Sequence, residues 1–185
     1  MNDTTTSISL LDRARSGENQ AWTDLQRLYS PLVYYWLRRR GIGGQDLETI
    51  HNGLFSRAFL HLEGFRHNGR RGAFRGWLRR LTISEIGDRF GNERVGLPDD
   101  AIAPAVEIDP HDSDEDELVI LSHQAWDLVR GEFTDRDQVV FRRVRINSES
   151  AGDVAADIGI KTNNLHQILF RITKRLRERF AGEFD

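Results

Sequence analysis

Residues 150–180, SAGDVAADIGIKTNNLHQILFRITKRLRERF, leave this chain few options. They read as a short helix, a glycine turn and a longer basic helix. Ala155 is small enough for two helices to cross closely, Gly159 can take the positive-φ turn, and Leu165 seats the second helix. In that second helix Leu165, Ile168, Leu169, Ile172, Leu176 and Phe180 fall on one stripe at helical spacing. Asn163, Gln167, Arg171 and Lys174 fall on the opposite stripe, with Asn164 and Arg175 on its flank. Amides and guanidinium groups read base edges in a major groove, and lysine and arginine neutralise phosphate. The pattern is that of a helix-turn-helix with a DNA-recognition helix. An amphipathic helix with a solvated basic face would share the stripe, but not the preceding Ala155 helix and glycine turn.

The charge distribution divides the rest of the chain. Residues 1–95 carry a net +5, residues 96–117 a net −9 with no basic residue, and residues 118–185 a net +1. The overall charge of −3 therefore hides two basic lobes around an acidic connector. Pro98, Pro104 and Pro110 fall in the same stretch as the acidic run, so it reads as an extended, flexible linker. Its charge would allow it to lie over the recognition helix and suppress DNA binding. The expected division is residues 1–92, a linker over 93–115, and residues 116–185.

Both lobes read as helical, and the fold class expected is all-α. Ser7 or Ser9 caps a short helix through Arg15, and residues 19–40 form a long amphipathic stretch that Pro31 should kink or reset. Residues 46–62 bury Leu47, Ile50, Leu54, Ala58 and Leu62, with His51 and His61 on the core side. A glycine- and arginine-rich loop, GFRHNGRRGAF, leads into a helix over Phe74 to Phe90. The second lobe opens near Asp116 with a helix carrying Leu118, Leu121, Ala125, Leu128 and Val129. Thr134 and Asp137 then resemble a capping box.

Other function classes find little support. The chain has no cysteine, so neither a disulfide nor cysteine-bound zinc holds it together. No apolar run approaches the roughly 20 residues of a membrane span, and the N-terminus lacks a signal-peptide pattern, which points to a cytoplasmic protein. His51 and His61 are nearly three helical turns apart, and the acidic cluster around Asp112–Glu117 lacks the glycine of a calcium loop. No phosphate-binding loop or activated nucleophile is present, so neither catalysis nor a cofactor is expected.

Two basic helical lobes, an acidic linker and a C-terminal helix-turn-helix together resemble the extracytoplasmic-function (ECF) sigma factors of bacterial RNA polymerase. The resemblance spans roughly residues 8–180. Its motifs are AWTDLQRLYSPLVYYWLRR, then Phe74-Arg75-Gly76-Trp77-Leu78 with Asp88 and Arg89 following. In the second lobe they are Asp137 to Phe141, Ser150, Val154, Ala155, Gly159-Ile160 and Lys174-Arg175-Leu176-Arg177. The resemblance implies an initiation factor with core RNA polymerase and promoter DNA as partners, sometimes held by an anti-sigma protein. It implies that Lys161, Thr162, Asn163, Asn164, Gln167, Arg171, Lys174 and Arg175 meet the minus-thirty-five element. It likewise assigns Arg66, Arg70, Arg71, Arg75, Trp77, Arg79, Arg80, Ser84 and Arg89 to the minus-ten element.

Two departures stand out. The family presents D-x-x-Q-E-x-F to the polymerase clamp, whereas this chain has Thr49, Asn52, Gly53 and Phe55 at those places. Docking then falls to Asp46, Asn52, Phe55 and Arg57, and a stand-alone DNA-binding regulator that never binds polymerase becomes the rival reading. Lys161 stands where a small hydroxyl cap is usual, which leaves Thr162 as the expected cap and Lys161 as a phosphate contact.

Overall fold

The computed structural model describes residues 9–65, 72–91 and 114–183. Among them there is no strand, and the fold is all-α. The first four helices are α1 (Leu10–Arg15), α2 (Asn19–Arg39), α3 (Gly44–His61) and α4 (Ala73–Phe90). The second group is α5 (Asp114–Val129), α6 (Asp135–Phe141), α7 (Ala151–Ile158) and α8 (Thr162–Arg179). Helix starts follow local chemistry. Ser9 caps α1 by accepting from the Asp12 amide, and Thr134 caps α6 by accepting from the Asp137 amide. A single wide π turn over Arg142–Ile146 then carries the chain toward α7.

Pro31 does not kink or reset α2, which runs unbroken from Asn19 to Arg39. A proline inside a helix has no N–H for the carbonyl four residues earlier, here that of Arg27. Gln124 on α5 supplies the missing donor, its side-chain amide lying 2.9 Å from the Arg27 oxygen. The tolerance of Pro31 is thus a tertiary effect, and one provided by the second half of the chain.

That contact is one of several between the two halves. Helix α5 packs along α2, and one hydrophobic cluster extends from Leu10 and Trp36 through Leu121 and Leu165 to Phe180. At the C-terminal end of α8, Arg179 makes a bidentate pair with Asp24 on α2, both bonds at 2.8 Å. The Leu10 amide donates to the Ala181 carbonyl at 2.9 Å, and the Tyr29 hydroxyl donates to Glu183 at 2.6 Å. Burial pushes the Glu183 carboxyl up to about 7, although the Tyr29 bond works against it.

Three further expectations are corrected. Helix α5 starts at Asp114, two residues before the expected opening of the second lobe, so 114–115 belong to a helix; residues 93–113 of the expected linker lie outside the described residues. Leu118, expected in the core, is exposed, while Glu117 is fully buried in its place. His61 is exposed; His51 is buried, stacked on Tyr34 at 4.5 Å, with its Nε2 2.9 Å from the Ser30 hydroxyl. No helix among the described residues is long and apolar enough to cross a membrane.

Candidate nucleic-acid interface

Helices α7 and α8 follow one another across a short turn at Gly159 and Ile160. Val154 and Ala155 are buried, and Gly159 takes φ 74°, a left-handed conformation that costs glycine little. The Ile160 amide bonds back to the Ala155 carbonyl at 2.9 Å and closes the turn. Leu165, Ile168, Leu169 and Ile172 then seat α8 on the core. The cap position of α8 is Lys161 rather than Thr162, and no side chain caps its amides. The exposed first-turn N–H groups and the neighbouring lysine suit a phosphate.

The outward stripe is as the periodicity predicts. Lys161, Thr162, Asn163, Asn164, Gln167, Arg171 and Lys174 are all exposed. Arg171 touches Asp137 at 3.2 Å yet stays 63% exposed at its side chain, so it is anchored without being covered. Arg175 lies differently. It forks onto Glu132 at 2.5 and 3.0 Å, and that hydrogen bonding is the main reason the Glu132 carboxyl sits below its usual range. Phe170, absent from the residues picked out by sequence, is 67% exposed between Gln167 and Lys174. Its spacing from Asn163, Gln167 and Lys174 carried the signal, but an aromatic residue beside buried Leu169 reads as core until the helix is oriented.

In the first lobe, α4 presents two faces. Phe74 is buried against Tyr29 and Phe65, and Trp77 packs on both Phe65 and Phe74 at 5.2 and 5.4 Å, half-buried. Arg75 and Arg79 turn to α5, where both pair with Glu117, Arg75 at 3.1 Å. Arg79 also lies over the Trp36 ring, whose indole N–H donates to the same carboxylate at 2.7 Å. Arg80 is half-buried. Arg66, Arg70 and Arg71 lie outside the described residues.

Two of the four residues named for polymerase docking, Asp46 and Arg57, pair with α4 while staying partly exposed. Asp46 pairs with Arg89 at 2.6 Å. Arg57 reaches Ser84 at 2.9 Å, Glu85 at 2.8 Å and Asp88 at 2.6 Å. Phe55 is 5% exposed and packs edge-on to Trp22, so its side chain is core rather than surface. Asn52 alone of the four is exposed. A Cβ at Gly53 would stand 2.7 Å from a Glu85 carboxylate oxygen, the tip of a flexible side chain that can swing aside.

The sequence has a partial match to a characterised protein. Over 95 residues the chain is 30% identical to the ECF RNA polymerase sigma factor BldN of Streptomyces coelicolor; the match takes in 51% of this chain and 35% of that protein. The resemblance is to the ECF sigma factors. The chain thus spans about a third of the length of that ECF relative. No family model matches the sequence. A solved structure described as the RsbN-BldN complex aligns over 90% of this chain and 96% of that chain, at 20% identity and a TM-score of 0.38, too low to carry an argument. Among the described residues no group of three or more His, Cys, Asp or Glu side chains is arranged to hold a metal ion.

Proposed function

We propose that this chain is a sigma factor of the ECF type, which brings core RNA polymerase to promoter DNA and acts without catalysis or cofactor. One observation carries the reading. The α8 stripe of Asn163, Gln167, Phe170, Arg171 and Lys174 stands exposed on a helix-turn-helix whose turn is held by Gly159. Arg171 can donate two bonds to a base edge, Gln167 can donate one and accept one, and Phe170 supplies an apolar surface for a thymine methyl. Lys161 and Lys174 meet phosphate on either side. Arg175, forked onto Glu132, helps hold α8 in place and contributes charge rather than base readout.

In this reading residues 1–92 engage polymerase and the minus-ten element, residues 93–113 connect, and residues 114–185 bind the minus-thirty-five element. The basic residues Arg66, Arg70 and Arg71 precede α4, where a melted strand's phosphates would find charge continued by Arg75 and Arg79. An anti-sigma protein is a natural further partner on the same resemblance.

A stand-alone regulator is the second reading, favoured by the internal pairing of Asp46 with Arg89 and of Arg57 with Asp88. Transcription by core RNA polymerase on fragmented genomic DNA, with and without this chain, separates the two. New start sites sharing two upstream motifs support the sigma factor. Sequence-specific DNA binding without new starts supports the regulator and overturns polymerase docking.

A further inference from the structure

The acidic run ends in a residue that is not solvated at all. Glu117, in the first turns of α5, has no exposed side-chain surface, although carboxylates are almost never fully buried unless paired. Its partners are the two α4 arginines and the indole N–H of Trp36, all from the other half of the chain. Glu117 thus pairs with the first lobe rather than with any residue of the recognition helix that the linker was expected to cover. A carboxylate offers guanidinium the same paired oxygens that a phosphate does.

Resting on the function proposed above, we infer that the packed arrangement is a self-restrained state. Glu117 occupies Arg75 and Arg79 as an intramolecular stand-in for nucleic-acid phosphate, and α5 must leave α4 before a strand can bind there. Polar fasteners accompany the apolar cluster that the two halves share. They include the Gln124 bond to the Arg27 carbonyl, the Arg179–Asp24 pair and the Tyr29–Glu183 bond. Charged and hydrogen-bonding groups regain water when such a contact opens, which offsets part of the cost of exposing the shared apolar cluster. Nucleic acid that binds only the open state shifts the population toward it, and its apparent affinity is reduced by the fraction of chain already open.

The test uses the full chain and a fluorescein-labelled single-stranded oligothymidine, followed by anisotropy. Glu117→Gln keeps the shape and removes the charge. It should bind about tenfold or more tighter than wild type, and adding Arg75→Gln and Arg79→Gln should abolish the gain. A gain of less than about threefold overturns the restraint. Should Glu117→Gln fail to fold, a second measurement decides on the Glu117 chain itself. The chain has no native cysteine, so dyes placed through Ser56→Cys on α3 and Ala156→Cys on α7 report separation of the halves. Saturating oligothymidine should change the energy transfer, and an unchanged signal overturns the proposal. Tight wild-type binding that depends on Arg75 and Arg79, with no gain in Glu117→Gln, rejects the restraint and keeps the nucleic-acid role of α4. Absence of binding in every form rejects both.

Discussion

Replacing Arg179 with alanine should be among the most damaging single changes in the chain. Its guanidinium makes two 2.8 Å bonds to Asp24 and a 2.9 Å bond to the Leu128 carbonyl, and reaches Glu132 at 3.2 Å. Glu132 keeps Arg175, but Asp24 would keep only Gln20 while 4% exposed at its side chain. Removing one partner of a buried pair costs about 3–5 kcal/mol, because the other charge stays behind without compensation. Against a total of about 5–15 kcal/mol, that is a large share. For a chain of this size it corresponds to a fall in Tm of roughly 6–20 °C.

The pH dependence of that loss identifies its cause. In the wild type burial pushes Asp24 up, but hydrogen bonding and charge from Arg179 outweigh it and hold the carboxyl below its usual range. Its stabilising contribution is therefore present above the unfolded value of 3.8 and is lost as pH falls through the lower folded value. Without Arg179 desolvation, the largest influence, is opposed only by the Gln20 hydrogen bond and the Arg13 charge, so the folded value rises and the neutral form gains. The stability gap between Arg179→Ala and wild type should then shrink as pH falls from about 7 to about 5. Groups that titrate identically in both proteins cancel from this difference. Adding Asp24→Asn to Arg179→Ala should recover part of the loss at pH 7. Urea denaturation at several pH values measures all of this. A loss below about 1 kcal/mol, or a gap independent of pH, would refute the uncompensated-charge reasoning.

Other outcomes follow from the same structure. Glu183, raised to about 7 by burial, contributes stability that is fully present below its unfolded value of 4.5 and lost as pH rises toward 7; Glu183→Gln should therefore exceed wild type at pH 8 by about 1–2 kcal/mol and match it near pH 5 in thermal melts. Gly159→Ala should cost about 1–2 kcal/mol by denaturant titration, since alanine at φ 74° is strained although the space around it is open. Arg171→Ala should cost about 1–3 kcal/mol on the preferred DNA and relax sequence preference, whereas an equal loss on every sequence would remove it from base readout. Lys174→Ala should weaken binding evenly and lower the salt slope by about one, which binding isotherms at several salt concentrations would show.

Much of this molecule is legible one helix at a time. The apolar stripe of α8, the small Ala155, the positive-φ Gly159 and the caps at Ser9 and Thr134 are short-range patterns, and steric and hydrogen-bonding rules within a few residues fix them. They establish an all-α chain in which α7 and α8 are joined at a glycine turn. They also place Gln167, Arg171 and Lys174 on the exposed side.

What the pattern left open is which charges find each other. Glu117 and Leu118 are neighbours on α5, and only docking against α2 and α4 decided that the carboxylate is buried and the leucine exposed. Arg171, Arg175 and Arg179 repeat every turn along α8, yet one stays outward while the next two turn to Glu132 and Asp24. Pro31 would break an isolated helix and does not, because Gln124, 97 positions along the chain from Arg27, lies within hydrogen-bond reach of the Arg27 carbonyl. Sequence periodicity assigns a residue to a face. The free energy of a buried charge or an orphaned carbonyl depends on partners far along the chain, and only the tertiary structure supplied them.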